Sequence, residues 1–107
     1  MSATRLNRAP SDTGWVTLNS VVKYRVRDGT CTVVGNSGGG GTSVSSSGVT
    51  AGTLPAGARP SIEVVGPATT KANADGQFNI LTTGIIKVYA FGSATTYWGF
   101  TVSYPVA

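Results

Sequence analysis

An alternation of apolar and cationic residues between Val22 and Arg27 (VKYRVR) most constrains how this chain can fold. Successive side chains of a β-strand point to opposite faces, so the alternation predicts a strand with one buried and one solvated face. Asp28-Gly29 follows directly and is a strong signal for a two-residue hairpin turn. Residues 30–34 (TCTVV) have the composition of a return strand. The sequence therefore predicts an antiparallel hairpin over residues 22–34.

Strand patterns continue along the chain, whereas no segment carries the 3.6-residue apolar repeat of a helix. We expect strands at residues 61–65, 77–81, 85–91 and 96–104, with weaker strand character at 69–74. Gly66-Pro67 is expected to end the first of these, and Asp75-Gly76 and Thr83-Gly84 to form turns. The last two strands are expected to pair as a C-terminal hairpin. The predicted fold class is all-β, a compact antiparallel β-sandwich or barrel of seven to eight short strands.

The composition divides the chain into an arm and one domain. Residues 1–13 are polar and basic and contain Pro10, which predicts an N-terminal arm or linker, such as the end of a stalk. Residues 14–107 are expected to form the β domain, with a flexible Gly/Ser loop at 35–48 in which Val44 alone could anchor a core. Gly52 to Pro60 (GTLPAGARP) holds two prolines and two glycines and is expected to be a stiff crossover between groups of strands.

Charge is scarce and uneven. Charged residues make up only 11% of the chain, and five of its eight cations lie in residues 1–27. A solvated arm and one polar strand face explain these cations better than a nucleic-acid surface, so no nucleic-acid partner is expected. A poorly charged surface favours self-association. The strand at 85–91 is apolar on both faces except for Lys87, as in a sandwich interior or a subunit interface.

The sequence offers little for catalysis. It has no His and only four carboxylates, which excludes a Ser-His-Asp triad and the usual zinc spacings. Cys31 is alone, so no disulfide can form within the chain, and a buried Cys is the expected state. No apolar run reaches 18 residues and no signal-peptide core is present, so no membrane insertion is expected. We expect neither an enzyme nor a cofactor.

Aromatic and Arg side chains are the better candidates for function, as binding residues. Aromatic rings stack on sugars, and guanidinium groups hydrogen-bond hydroxyls. The predicted ligand-binding residues are Tyr97, Trp98, Arg25 and Arg59. Core packing is an alternative for Trp98, and a solvated strand face is an alternative for Arg25.

Several stretches resemble the C-terminal head domain of bacteriophage tail-fibre or baseplate receptor-binding proteins. WVTL at 15–18 opens the domain, and VKYRVRDG at 22–29 resembles the family's first hairpin, x-Y-R-x-x-x-G. GTLPAGARP is similar to the family's GTLPAGYRP, with Ala58 where an aromatic residue often lies. ADGQFNI at 74–80 resembles its xADGxIxI hairpin, and an aromatic last strand ends at Tyr104-Pro105. The resemblance spans residues 15–105.

The resemblance implies a homotrimeric head at a fibre tip of the virion, made in the host cytoplasm. Such a head recognises host cell-wall or surface polysaccharide and attaches to other tail or baseplate proteins through its N-terminal side. One alternative is a structural fibre or virion-decoration module that trimerises without binding sugar. Another is a remnant domain of a polysaccharide-degrading tail spike. The motifs are turns and crossovers, so they imply the fold and carry no ligand contacts.

Overall fold

The computed structural model describes residues 12–38, 43–70, 75–91 and 94–106. Eight antiparallel strands form one curled, half-barrel sheet, which confirms the all-β fold class. The strands are β1 (Val16–Thr17), β2 (Val22–Arg27), β3 (Thr30–Asn36), β4 (Val49–Thr53), β5 (Val64–Thr70), β6 (Asp75–Ile80), β7 (Ile85–Phe91) and β8 (Trp98–Pro105). Within the described ranges the only helical element is a 3₁₀ turn at Ala56–Ala58, and no helix could cross a membrane.

The predicted first hairpin is confirmed. β2 pairs with β3 from Val22 opposite Gly35 to Arg27 opposite Thr30. Asp28 and Gly29 form the turn, both at positive φ (51° and 79°), where Asp and Gly are the residues best tolerated. Val22 and Tyr24 are buried and the cations alternate with them on the outer face, as the sequence pattern predicts.

The strand order is β1-β2-β3-β8-β5-β6-β7-β4, so the last strand lies in the middle of the sheet. β8 pairs with β3 from Gly99 to Pro105, and with β5 through Thr69 and Thr70. The predicted C-terminal hairpin is therefore wrong, because β7 pairs instead with β6 and β4. An apolar alternation identifies a strand and its buried face, and it does not identify the neighbouring strand.

Two predicted turn positions are also wrong. β5 continues through Gly66 and Pro67, and Pro67 is accommodated where β5 pairs with β6 but has not yet begun to pair with β8. Asp75 and Gly76 lie inside β6, opposite Phe91 and Ala90. A Cβ on Gly76 would collide with the Ala68 carbonyl, so this Gly serves close strand approach instead of a turn. The connection from β5 to β6, residues 71–74, lies outside the described residues.

The core fills the concave side of the sheet. Its largest fully buried side chains are aliphatic, and the rings of Phe78 and Phe100 stack with centroids 4.4 Å apart across the sheet. The crossover Gly52 to Pro60 caps this core, because Leu54 and Ala58 are buried and the Tyr104 hydroxyl donates to the Ala58 carbonyl oxygen at 2.6 Å. The crossover therefore ties the edge strand β4 to the central strand β8.

The curl brings the two edges of the sheet towards each other. The amide Nδ2 of Asn19, in the β1–β2 connection, donates to the Ala51 carbonyl oxygen on β4 at 2.7 Å. Leu18 and Asn19 lie so close to Gly52 that a Cβ there would meet Leu18 at 2.8 Å. A residue near the first strand thus contacts the opposite edge strand, and the outer face of the sheet is left as the surface available to ligands.

Of the expected arm at residues 1–13, only Asp12 and Thr13 lie within the described residues. Asp12 forms an isolated bridge with Arg27, and the Thr13 amide donates to the Val26 carbonyl oxygen at 2.9 Å. In the expected loop at 35–48, the described part shows Gly35 and Asn36 within β3 and Val44 fully buried. Residues 39–42 lie outside the described residues.

Candidate functional site

An open groove of about 670 Å³ crosses β3, β8 and β5. Its volume lies within the range of about 300–1,000 Å³ that small-molecule sites usually occupy. Its lining comes from the end of β3 and the residue after it, the end of β5, and the first half of β8 with the residue before it: Val34, Gly35, Asn36, Ser37, Thr69, Thr70, Tyr97, Trp98, Gly99, Phe100 and Thr101. Three strands that are distant in sequence thus contribute to one surface.

The strand register explains why a groove lies here. Gly99 on β8 is directly opposite Asn36 on β3 and Thr69 on β5. Trp98 and Phe100, on either side of Gly99, point into the core, so Gly99 faces outward. Directly opposed residues of paired strands point to the same face, so Asn36, Gly99 and Thr69 form one outward-facing row across the three strands. The middle position of the row has no side chain, which leaves a depression between Asn36 and Thr69.

A network of hydrogen bonds holds the segment that precedes β8. The Ser37 hydroxyl accepts from the Trp98 amide at 3.0 Å and donates to the Thr96 carbonyl oxygen at 2.6 Å. The Thr95 hydroxyl accepts from the Tyr97 amide at 3.0 Å. Thr95 is in turn bridged to the fully buried Val44. The backbone at Tyr97 is therefore fixed at both sides, although it lies outside a regular strand.

Tyr97 and Trp98, both predicted binding residues, come together at this groove. Tyr97 is 43% exposed, so part of its surface is open to solvent at the groove. Trp98 is 6% exposed, and its ring packs beside Phe100 with centroids 6.1 Å apart. Gly35 permits this packing, because a Cβ there would meet the Phe100 ring at 2.5 Å. Trp98 therefore supports the groove from the core, which was the alternative considered for it.

The groove has an uncharged lining. No Lys, Arg, Asp or Glu is among the described residues that line it. Hydroxyl and amide side chains supply its polar surface, namely Asn36, Ser37, Thr69, Thr70, Thr101 and the Tyr97 phenol. Such groups hydrogen-bond neutral hydroxyls and amides, and they carry no countercharge for a charged ligand.

A smaller hollow of about 250 Å³ adjoins the groove on the β2 side. It is lined by Thr17, Asn19, Ser20, Val21, Val22, Lys23, Val34 and Asn36. Val34 and Asn36 line both the hollow and the groove. The two depressions therefore lie side by side on the outer face, with Asn36 between them.

Arg25, a further predicted binding residue, lies on β2 outside the groove. Its guanidinium donates to both carboxylate oxygens of Asp12, from Nε at 2.9 Å and from Nη2 at 2.5 Å. This ion pair, together with the Gly14 amide bond to the same carboxylate, holds the pKa of Asp12 well below its ordinary value of 3.8. Arg25 and Lys23 also lie over the exposed Trp15 ring, at 6.0 and 5.1 Å from its centroid. Arg25 is thus engaged in fastening the chain before β1 to β2.

Arg59, the fourth predicted binding residue, is engaged in the crossover. Its Nε donates to the Leu54 carbonyl oxygen at 3.1 Å. Gly84, at φ +90°, lies against both groups, and a Cβ there would meet Arg59 Nε at 2.9 Å. Arg59 does not line the groove. The structure therefore brings together two of the four predicted residues, and places the other two at separate structural contacts.

Asn36, Thr69, Gly99 and Thr101 were not among the predicted site residues. A signal for two of them was present, because Tyr97, Gly99 and Thr101 share the outer face of the last strand. The contributions of Asn36 and Thr69 depend on which strands flank β8, and the sequence pattern does not reveal this.

No protein-family model matches this chain, and no curated protein matches it. Among the described residues, no three His, Cys, Asp or Glu side chains are grouped so that they could hold a metal ion.

Proposed function

We propose that this protein is the receptor-binding head of a bacteriophage tail fibre or baseplate, which recognises saccharide on the host cell surface. The observation that carries the proposal is the groove over Gly99, which combines the exposed aromatic residue Tyr97 with hydroxyl and amide side chains. Aromatic rings stack on the apolar faces of sugars, while hydroxyls and amides pair with sugar hydroxyls. The sequence resemblance to phage head domains supplies the biological setting.

The proposed head is a homotrimer located at the virion, joined to other tail or baseplate proteins through its N-terminal side. Large apolar side chains exposed near and along the outer face support association with other copies: Ile62, Val65 and Phe91 are 78%, 55% and 40% exposed. Surfaces of this kind are commonly covered by a partner. Light scattering at micromolar concentration tests the trimer, and a monomer mass would refute it.

The same apolar residues favour one alternative, a structural fibre or decoration module that associates without binding sugar. The two functions differ in a simple respect. A receptor-binding head adsorbs to host cells or to their isolated cell-wall polysaccharide, whereas a structural module does not.

Binding of fluorescently labelled protein to bacterial cells and to purified cell-wall polysaccharide tests the proposal. We expect Tyr97→Ala to reduce the affinity about fivefold, since stacking on an aromatic ring contributes about 1 kcal/mol. Trp15→Ala is a matched control, because Trp15 is an aromatic residue of similar exposure (49%) that lies outside the groove. Binding that survives Tyr97→Ala and is lost in Trp15→Ala would place the site elsewhere. The absence of any cell or polysaccharide binding would refute the proposed function.

A further inference from the structure

The composition of the groove specifies the class of saccharide. We infer that the site takes an extended, uncharged oligosaccharide, which runs from the groove over Gly99 past Asn36 into the smaller hollow beside β2. This inference rests on the proposed function and deepens it, because it selects neutral chains over acidic ones and oligosaccharides over single sugars.

The first argument is electrostatic. The described groove residues are apolar, hydroxyl or amide. On the neighbouring strand β2, Arg25 pairs with Asp12, and Lys23, which lines the smaller hollow, lies over Trp15. A carboxylate or phosphate that entered the groove would lose hydration without gaining a charged partner among the described residues of its lining. Neutral sugar hydroxyls lose less hydration free energy than an anion on entering the groove, and they can hydrogen-bond the hydroxyl and amide groups that line it.

The second argument is the shape of the surface. The groove and the hollow lie next to each other and share Val34 and Asn36. Both lie on the outer face of neighbouring strands, so a chain laid across the strands passes from one to the other without leaving the surface. A single sugar ring fills only part of this path, while an oligosaccharide contacts Tyr97 at one end and the β1–β2 connection at the other.

Gly99 is the residue that determines access. It is the floor of the groove, and an added Cβ would lie 3.3 Å from the Gly35 carbonyl oxygen, a tight contact that requires the paired strands to shift by a few tenths of an ångström. A β-branched side chain here would stand where the ligand lies, while suiting the strand conformation better than Gly. Binding and thermal unfolding are therefore measured together for a substitution at this position, so that loss of binding is distinguished from loss of folding.

Isothermal titration calorimetry on the full chain tests the inference with two panels of defined probes. The neutral panel contains maltose, maltohexaose, cellohexaose and hexasaccharides of mannan and galactan. The acidic panel contains oligosaccharides of hyaluronan and polygalacturonate, and lipoteichoic acid. We expect binding within the neutral panel only, tighter for hexasaccharides than for the corresponding disaccharide. Affinity should change less than about twofold between about 50 mM and about 500 mM NaCl, because screening acts on charges.

Two variants and one control place the ligand. Gly99→Val is expected to lower the affinity for the bound hexasaccharide at least about tenfold in protein that retains a cooperative thermal unfolding transition. Asn36→Ala, at the junction of the two depressions, should lower it about fivefold. Ser103→Val is the control, since Ser103 lies outward on the same strand, outside the groove, where it hydrogen-bonds Thr32 at 2.8 Å.

The outcomes distinguish the inference from the function on which it rests. Preference for the acidic panel, or binding that salt abolishes, overturns the inference and leaves a saccharide-binding head. Equal affinity for disaccharide and hexasaccharide overturns the extended path. Neutral binding that is unchanged in both folded Gly99→Val and Asn36→Ala overturns the location. A lack of binding in both panels and to whole host cell walls refutes the proposed function together with the inference.

Discussion

Removal of one hydroxyl group should show how strongly the crossover is fastened to the sheet. The Tyr104 hydroxyl donates to the Ala58 carbonyl oxygen at 2.6 Å, and Tyr104 and Ala58 are only 5% and 1% exposed. Burial, with a smaller effect from Cys31, raises the pKa of Tyr104 above its ordinary value of 10.0, so this hydroxyl remains a donor at neutral pH. Tyr104→Phe keeps the ring in the core and leaves the Ala58 carbonyl buried without its donor. Such a loss costs about 1–3 kcal/mol of the free energy of unfolding.

The corresponding change in melting temperature is measurable. For a chain of 107 residues, a loss of about 2 kcal/mol lowers Tm by about 9 °C, since the entropy of unfolding is about 2.1 cal/mol/K per residue. Thermal unfolding followed by circular dichroism gives this shift. Tyr24→Phe is the control: Tyr24 is also buried (8%), and the described part of the chain gives its hydroxyl no hydrogen-bond partner. A shift below about 2 °C for Tyr104→Phe, or one equal to that of the control, would show that the crossover does not depend on this bond.

Two further substitutions test local contacts. Gly84→Ala should lower the free energy of unfolding, measured by urea denaturation, by more than about 2 kcal/mol, because a side chain at φ +90° is strained and its Cβ would meet the Leu54 carbonyl oxygen at 2.5 Å. Gly57→Ala is the control, since nothing lies within 4 Å of a Cβ added there, and it should be neutral or slightly stabilising. Equal effects of the two substitutions would refute the argument. Because pairing with Arg25 lowers the pKa of Asp12, its contribution to stability is present above the ordinary value of 3.8 and is lost as the pH falls below it. The free energies of unfolding of the wild type and of Asp12→Asn, measured by urea denaturation, should therefore differ at pH 6 and converge towards pH 2. A difference between them that grows on acidification would contradict the ion-pair argument.

The sequence is most informative where a periodic pattern coincides with a defined turn. Residues 22–34 combine strict alternation with Asp28-Gly29, and the structure confirms the hairpin and its buried face. Residues 77–91 are similar, since Phe78 and Ile80 are buried and the turn before β7 includes Gly84. In each case neighbouring residues determine the outcome, so no knowledge of the distant chain is needed.

Prediction fails where a residue has two possible roles and distant contacts decide between them. The dipeptide Asp75-Gly76 predicts a turn, yet Gly76 lies within β6. A glycine is needed there because the Ala68 carbonyl approaches too closely for any side chain. Pro67 predicts the end of a strand, yet it occupies a stretch of β5 that pairs on one side only. The placement of β8 between β3 and β5 likewise depends on long-range pairing.

The candidate site follows the same rule. The aromatic residue Tyr97 can be identified from its strand face, because alternation places it opposite the apolar positions Trp98 and Phe100. The floor and walls of the groove require the cross-strand row of Asn36, Gly99 and Thr69, which joins three segments that are far apart in the sequence. The two arginines were identified by residue type alone, and their side chains are engaged in structural contacts.

The most direct test of the account is to locate a bound saccharide. Backbone amide shifts of the ¹⁵N-labelled protein are recorded by NMR during titration with the hexasaccharide that binds most tightly. The largest changes are predicted at the backbone amides of Asn36, Thr69, Tyr97, Gly99 and Thr101, which line the groove. Changes concentrated around Trp15, or an absence of changes at saturating saccharide, would contradict it.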